Sequence, residues 1–136
     1  MVIAVCIDEK KGLQFNRRRQ SRDRAQQEDL LALCGGQPLR IAPASAALFD
    51  WAGERVTAAE GFLEKATPGE ICFVEENVPV SVEGRIEAVI LYHWNRAYPA
   101  DTWLKLDLSA FRLIERVEFT GKSHDTITRE RYERSV

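Results

Sequence analysis

The part of the sequence with the greatest chemical potential is an arginine-rich segment, FNRRRQSRDR, at residues 15–24. Its arginines are Arg17, Arg18, Arg19, Arg22 and Arg24. Guanidinium groups make paired hydrogen bonds to phosphate and carboxylate oxygens, so several in one place suit a highly charged anion. Ser21 and the free N–H groups of a helix that starts after it would add contacts to the same anion. The segment predicts a binding site for a phosphorylated small molecule.

The charge balance of the chain leaves a plainer alternative open. The net charge is −2, which argues against a general nucleic-acid-binding protein, so any contact with a polyanion must be local. The alternative is a solvated, flexible loop in which some arginines pair with Asp23, Glu28 and Asp29 at helical spacing. Asp23 also has two interpretations. It is a candidate catalytic residue that binds a heterocycle or relays a proton, or it is an ordinary acid in the first turn of a helix.

A second segment with possible ligand contacts is YHWNRAYPAD, at residues 92–101, where a buried strand ends. Trp94 could stack on a planar ligand, and Asn95 could recognise its edge through hydrogen bonds. The alternative is that Trp94 packs at the edge of the domain and that Asn95 turns the chain. Both side chains are therefore candidates for ligand binding.

The remaining reactive side chains give weaker signals. Ser123, His124 and Asp125 have the residue types of a hydrolytic triad, but neighbours in a hairpin point in different directions, and triads are assembled from separate elements. The cysteines are Cys6, Cys34 and Cys72. They are odd in number and lie in apolar sequence, which indicates small core residues and argues against a disulfide framework or a zinc site. No metal site is predicted.

The elements that must position these residues begin with an apolar strand, MVIAVCI, before the arginine-rich segment. A helix follows the segment, with Ser21 as its N-cap and Gly35-Gly36 as its stop. A second short helix is expected at ASAALFDWAG, and further strands are expected at QPLRIAP, PGEICFVEE and RIEAVILYHW. The tail alternates apolar and polar residues in DTWLKLDL, FRLIERVEFTG and TITRERYER, as antiparallel strands with one wet face do.

Length and pattern together define the expected architecture. The chain has 136 residues and the apolar and charged fractions of an ordinary globular protein. We expect one α/β domain at residues 1–136, with a mixed, mostly parallel sheet flanked by helices and a C-terminal antiparallel hairpin. The first apolar run is too short for a signal peptide or a membrane span, so a cytoplasmic protein is expected.

Residues spaced along the whole chain support a family resemblance. They are Gly12, Asn16, Asp23, Asp101, Thr102, Tyr132 and Arg134, with GQPLRIA at residues 36–42 in the place of a Gly-x-Pro segment. In this order they resemble dihydrofolate reductase in shortened form, although no single motif is diagnostic. The resemblance implies that the loop before the first helix, here the arginine-rich segment, covers a substrate cleft at the carboxyl ends of the strands.

The sequence departs from that family where the cofactor phosphates would be bound. A Gly-Arg-x-Thr turn is replaced by Ala42, Pro43, Ala44 and Ser45. A Gly-Gly pair, which lets backbone approach a pyrophosphate, is replaced by Glu75 and Glu76. Two carboxylates would repel a diphosphate, so nicotinamide binding in the family's manner is not expected.

The chain is also similar to short, uncharacterised bacterial proteins with a CxDxxxGxxFNxRRxSRD-like start and a WNRxYPAD motif. Some of these carry a ribonuclease Z label, which implies a two-metal hydrolase with a His-x-His-x-Asp-His cluster. This chain has only His93 and His124, so it cannot build that metal site.

Three functions follow from these observations. The first is a shortened reductase-like domain that binds an anionic, nucleotide-like ligand through the arginine-rich segment, with catalysis lost or changed. The second is an NADPH-dependent reductase of the dihydrofolate reductase type. The third is an RNA-interaction module, whose binding would weaken steeply with salt. The sequence does not decide between enzyme and binding protein, nor does it identify the cofactor or the oligomeric state.

Overall fold

Strands and short helices alternate along residues 1–135, the part of the chain described by the computed structural model. The strands are β1 (Val2–Ile7), β2 (Gly12–Phe15), β3 (Arg18–Arg19), β4 (Leu39–Ile41), β5 (Val56–Ala58), β6 (Ile71–Phe73), β7 (Ala88–His93), β8 (Thr102–Trp103), β9 (Phe111–Phe119) and β10 (Ile127–Arg134). The helices are α1 (Arg24–Cys34), α2 (Phe62–Lys65) and α3 (Val80–Glu83), and a 3₁₀ segment spans Pro43–Arg55.

The main sheet has the strand order β5-β4-β6-β1-β7-β10-β9. Strands β5, β4, β6, β1 and β7 are parallel to their neighbours, whereas β10 runs antiparallel to both β7 and β9. The predicted fold class, a mixed and mostly parallel sheet with helices and a C-terminal antiparallel hairpin, is confirmed. Because the sheet is covered on both faces, β1 is apolar throughout and β7 is apolar up to Tyr92 and His93 at its end.

Each face of the sheet packs against its own apolar layer. In β1, Val2 and Ala4 face the layer that contains Leu30 of α1 and Phe49 of the 3₁₀ segment. Ile3, Val5 and Ile7 face the opposite layer. Cys72 is buried in that opposite layer, and Cys6 and Cys34 are partly buried against the first. Burial raises the pKa of both the Cys34 and the Cys72 thiols to about 11.

The loop expected before the first helix is instead largely a β-hairpin, so that prediction was wrong for residues 14–19. Strands β2 and β3 pair Gln14 with Arg19 and Phe15 with Arg18, and β8 pairs with the other edge of β2. The turn residues Asn16 and Arg17 have φ of 53° and 63°, as a two-residue type I′ turn requires. Arg17, Arg18 and Arg19 are thereby carried on a hydrogen-bonded hairpin.

The first helix was correctly predicted, but its N-cap was not. Asp23 is the cap, because its carboxylate accepts a hydrogen bond from Ala25 N at 2.9 Å. Ser21 lies two residues earlier, and its hydroxyl contacts His124 instead. The predicted glycine stop is confirmed, since Gly35 closes α1 at φ 61°.

Two other predicted elements differ from the observed ones. The second helix is a 3₁₀ segment whose helical geometry breaks at Phe49 and Gly53. Only Thr102–Trp103 of the DTWLKLDL segment forms a strand, because the side chain of Asn77 binds Trp103 O and Lys105 N and takes the place of a partner strand. No helix within residues 1–135 has the length and apolar character needed to span a membrane.

Candidate ligand-binding cleft

A cleft of about 990 Å³ opens at the carboxyl ends of the parallel strands. Its floor includes Ala42 after β4, Ala59 after β5, and Val74 after β6. Open α/β sheets bind their ligands at this edge, because neighbouring crossovers leave a crevice there. The volume is at the upper end of the range of about 300–1,000 Å³ typical of small-molecule sites.

One wall of the cleft is the β2–β3 hairpin with the residues that follow it. Arg17, Arg18, Arg19, Ser21 and Arg22 all line the cleft. Arg19 pairs with a carboxylate, whereas Arg17, Arg18 and Arg22 form no ion pair with any side chain of residues 1–135. This wall therefore presents uncompensated positive charge to the cleft.

The buried carboxylate of Asp8 fixes the position of the hairpin. It accepts hydrogen bonds from Gly12 N at 2.7 Å, Lys10 N at 2.8 Å, Gln20 Nε2 at 3.0 Å and Tyr98 N at 3.1 Å. Burial by itself would raise the pKa of Asp8, but these hydrogen bonds outweigh burial and hold the pKa below its ordinary value. An ionised Asp8 thus ties both ends of the arginine-bearing segment to the end of β1.

Glu75, which follows β6, joins the hairpin to the sheet. Arg19 donates to it from Nε at 2.6 Å and from Nη2 at 2.9 Å, and Ser45 Oγ donates at 2.6 Å. Glu75 was expected to present a free negative charge, but Arg19 largely neutralises it. Glu76 is exposed and also lines the cleft.

The lining of the cleft also contains acidic residues. They are Glu60 and Glu64, near the N-terminus of α2, and Glu76, after β6. All three side chains belong to exposed residues. The lining of the cleft therefore combines guanidinium groups with carboxylates.

Three of the residues proposed from the sequence lie outside the lining of this cleft. Arg24 stacks on the Trp51 ring, 3.6 Å from its centroid, and lies 3.7 Å from Glu28. Trp94 is buried, and Asn95 donates to Thr126 O and Thr128 Oγ1 at 3.0 Å each.

The expected pairing of the segment's arginines with nearby acids is also largely wrong. Asp29 binds Arg129, at 2.7 and 2.8 Å, and the hydroxyl of Tyr92. Asp23 binds backbone N–H groups and His124. Only the pairing of Arg24 with Glu28 has the predicted helical spacing.

A buried polar cluster lies beside the arginine wall, where α1 meets the β9–β10 connection. His124 Nδ1 is 3.0 Å from Asp23 Oδ2, and His124 Nε2 is 3.0 Å from Ser21 Oγ. Asp23 and His124 are 2% and 4% exposed, whereas Ser21 is partly exposed and borders the cleft. The ring of Trp94 stacks on the His124 ring, with centroids 4.5 Å apart.

The carboxyl group of Asp23 is held in its ionised form. Burial would raise its pKa, but hydrogen bonds from Lys122 N, the His124 ring, Ser123 N and Ala25 N lower the pKa far below its ordinary value. An ionised Asp23 favours the His124 tautomer with hydrogen on Nδ1. The lone pair on Nε2 then faces the Ser21 hydroxyl.

A second cavity, of about 20 Å³, lies deeper between α1 and the sheet. It is lined by Gln26 and Trp94, among others, and it has room for about one water molecule. Gln26 Nε2 is buried and has no hydrogen-bond partner within residues 1–135. A heterocyclic ligand does not fit in this cavity.

The sequence patterns did not predict the association of His124 with Asp23 and Ser21. A triad of Ser123, His124 and Asp125 was rightly not expected, since Asp125 is exposed and forms no part of the cluster. The residue type at position 121 is a local feature that reflects the cluster. A Cβ on Gly121 would lie 2.6 Å from Asp23 Oδ2 and 2.7 Å from His124 O. No motif, however, links residues that lie about a hundred positions apart.

Comparison with known proteins gives information about the fold. No protein-family model matches the chain, and no curated protein matches its sequence. A solved dihydrofolate reductase from Enterococcus faecalis, complexed with NADP(H) and RAB-propyl, matches with a TM-score of 0.65 and 14% identity. The match covers 100% of this chain and 97% of that one. The chain therefore has a dihydrofolate reductase-like fold.

Proposed function

We propose that the chain binds an anionic, nucleotide-like ligand in the cleft and does not carry out nicotinamide-dependent reduction. The observation that carries the proposal is the position of Arg17, Arg18 and Arg22. They line a cleft of ligand size and have no ion-pair partner within residues 1–135. Guanidinium groups without carboxylate partners are suited to the oxygens of a phosphate group.

The geometry of the hairpin supports the same proposal. Arg17 has φ of 63°, a conformation that costs a bulky residue about 1 kcal/mol. Such strain persists where the surrounding structure fixes it, and it occurs often at ligand sites. Here the hydrogen bonds to Asp8 and the pairing of β2 with β8 fix the turn.

The exposed glutamates of the cleft restrict the kind of ligand. Glu60, Glu64 and Glu76 accept hydrogen bonds and repel anions, so they suit hydroxyl or amino groups. A nucleotide combines a phosphate group at one end with sugar hydroxyls and often an amino group at the other. A ligand made of phosphate groups alone lacks such donors, so the mixed lining favours a nucleotide over inorganic polyphosphate.

Two features support a loss or change of reductase catalysis. The exposed carboxylate of Glu76 lines the cleft at the end of β6, where it would repel a cofactor diphosphate. The small second cavity excludes a heterocycle from the space beneath the hairpin. The structural neighbour is complexed with NADP(H), whereas this chain's cleft suits a ligand with less negative charge near β6.

A thermal-shift and calorimetric panel of nucleoside mono-, di- and triphosphates tests the proposal. At least one nucleotide should raise the melting temperature, and Arg17→Ala combined with Arg18→Ala should weaken its binding at least about tenfold, or about 1.4 kcal/mol. Arg112→Ala is the matched control, because Arg112 is exposed on the distant strand β9. No response to any nucleotide, or equal weakening by the control, would refute the proposal.

A further inference from the structure

We propose that Ser21 is a nucleophile, activated by His124 and oriented through Asp23, and that this cluster hydrolyses esters of small carboxylic acids. The three side chains come from separate elements: the segment before α1, the N-cap of α1 and the β9–β10 connection. They form a continuous chain of hydrogen bonds, from Ser21 Oγ to His124 Nε2 at 3.0 Å and from His124 Nδ1 to Asp23 Oδ2 at 3.0 Å.

In each hydrogen bond of the cluster, the donor and the acceptor are those that nucleophilic catalysis requires. Asp23 also accepts hydrogen bonds from Lys122 N at 3.0 Å and Ser123 N at 2.8 Å, which fix its carboxylate relative to the imidazole. The Nδ1–H group then donates to Asp23, and Nε2 accepts from the Ser21 hydroxyl. The stacked Trp94 ring holds the imidazole plane. The base is thus shielded from water while the hydroxyl stays at the cleft.

The other hydroxyl groups in the cluster have different positions. Ser123 Oγ lies 3.2 Å from His124 Nδ1 and donates to Arg22 O or Asp23 Oδ2, at 3.1 Å each, so it is not in contact with the basic nitrogen. Tyr98 OH lies 3.0 Å from Nε2 and 3.4 Å from Ser21 Oγ, but it does not line the cleft. Ser21 alone combines contact with Nε2 and access to the cleft.

The reaction balances with water as the only co-reactant. Ser21 Oγ bonds to the acyl carbon while its proton passes to His124 Nε2, and the carbonyl π electrons move to oxygen. The electron pair on oxygen then re-forms the carbonyl bond as the bond between the acyl carbon and the alcohol oxygen breaks. That alcohol oxygen takes the proton from His124 Nε2. Water then attacks the acyl-Ser21 in the same way and releases the carboxylic acid and free Ser21. Arg22 lines the same cleft, and a guanidinium group near the acyl oxygen would favour the developing negative charge.

Covalent labelling with an uncharged alkyl fluorophosphonate tests this inference. The full chain should gain one phosphonyl group by intact mass spectrometry, and peptide mapping should place it on Ser21. Ser21→Ala should lose both the label and the hydrolysis of p-nitrophenyl acetate. The matched control, Ser109→Ala, changes an exposed serine beyond β8 and should keep both.

The possible results separate this inference from the proposed function. Absence of an adduct on the wild-type chain, or a label that persists in Ser21→Ala, would overturn the inference. The probe is uncharged, so labelling does not require Arg17 or Arg18. Nucleotide binding without labelling overturns only the nucleophile, and labelling without nucleotide binding overturns only the anion site.

Discussion

The guanidinium group of Arg19 holds the carboxylate of Glu75 through two hydrogen bonds, 2.6 Å from Nε to Oε2 and 2.9 Å from Nη2 to Oε1. Arg19 ends β3, and Glu75 lies just beyond β6, so the pair fastens the arginine hairpin to the main sheet. It also takes one guanidinium out of the set available to an anion. The cleft's capacity to bind a phosphate group therefore depends on the remaining arginines of its wall.

Glu75→Ala should tighten anion binding and destabilise the fold. The substitution releases the guanidinium of Arg19 into the cleft and removes a negative charge from it, so nucleotide affinity should rise several-fold. Stability should fall by about 2 kcal/mol, because charge-assisted hydrogen bonds from Arg19 and Ser45 are lost. Calorimetric titration and urea unfolding measure the two effects.

Glu76→Ala is the matched control for that experiment. Glu76 is exposed and lines the same cleft, but it forms no ion pair within residues 1–135. Its removal should also favour anion binding while leaving the free energy of unfolding within about 0.5 kcal/mol. If Glu75→Ala tightened nucleotide binding no more than Glu76→Ala did, Arg19 would not be available to the ligand.

Stability should depend on pH through Asp23. Its pKa in the folded chain lies below its unfolded value of about 3.9, so folding favours the ionised form. The resulting stabilisation is fully present above the unfolded pKa and is lost as the pH falls through the folded pKa. Urea unfolding should therefore show a steady loss of stability as the pH falls from about 5 towards 2.

Asp23→Asn isolates this contribution. Asparagine keeps the N-cap acceptor but neither titrates nor accepts from Lys122 N and Ser123 N together, so the variant should be about 2–3 kcal/mol less stable at neutral pH. The difference from wild type should shrink at low pH. Asp8, whose pKa is also lowered, keeps part of the acid dependence in the variant. Asp125→Asn, at an exposed position, should show no difference, and a constant gap at all pH values would exclude Asp23 as the titrating group.

The sequence was sufficient where a local pattern determines structure. The apolar runs that became β1 and β7 require burial on both faces, and Gly35 supplies the positive φ that ends α1. The order of the strand and helix patterns along the chain was enough to predict the mixed sheet. The hairpin was missed because Asn16 is a good type I′ residue but Arg17 is not, and the charges around them suggested a solvated loop.

The site depended on pairings that no local pattern carries. Arg19 and Glu75 are far apart in the chain, and Asp23 meets His124 only after β9 and β10 form their hairpin. Residue types suggested an anion site, but the choice of partners followed from strand order. The sequence pattern also did not show which arginines reach the cleft. Arg24 belongs to the arginine-rich segment but stacks on Trp51 outside the cleft.

Gly121→Ala should disrupt the polar cluster. An added Cβ would lie 2.6 Å from Asp23 Oδ2 and 2.7 Å from the carbonyl oxygen of His124, so one of them must move, and the loss should be about 1–3 kcal/mol by urea unfolding. Gly84→Ala is the control, because an added Cβ there would meet no atom within 4 Å and the φ of Gly84 is −64°. That variant should be unchanged or up to about 1 kcal/mol more stable. Equal effects at the two sites would show that the cluster tolerates the methyl group.

The chain is not expected to reduce dihydrofolate, despite its fold. The cavity between α1 and the sheet holds only about 20 Å³, with Trp94 and Gln26 in its lining, and the Trp94 ring stacks on His124. A pterin-sized ring therefore cannot enter this cavity without displacing the buried indole ring of Trp94, which disfavours binding there. Assays with dihydrofolate and NADPH should show no cofactor oxidation above background, and dihydrofolate should not raise the melting temperature. Measurable turnover by the purified chain would mean that Trp94 moves aside, and the loss of reductase catalysis would then have to be rejected.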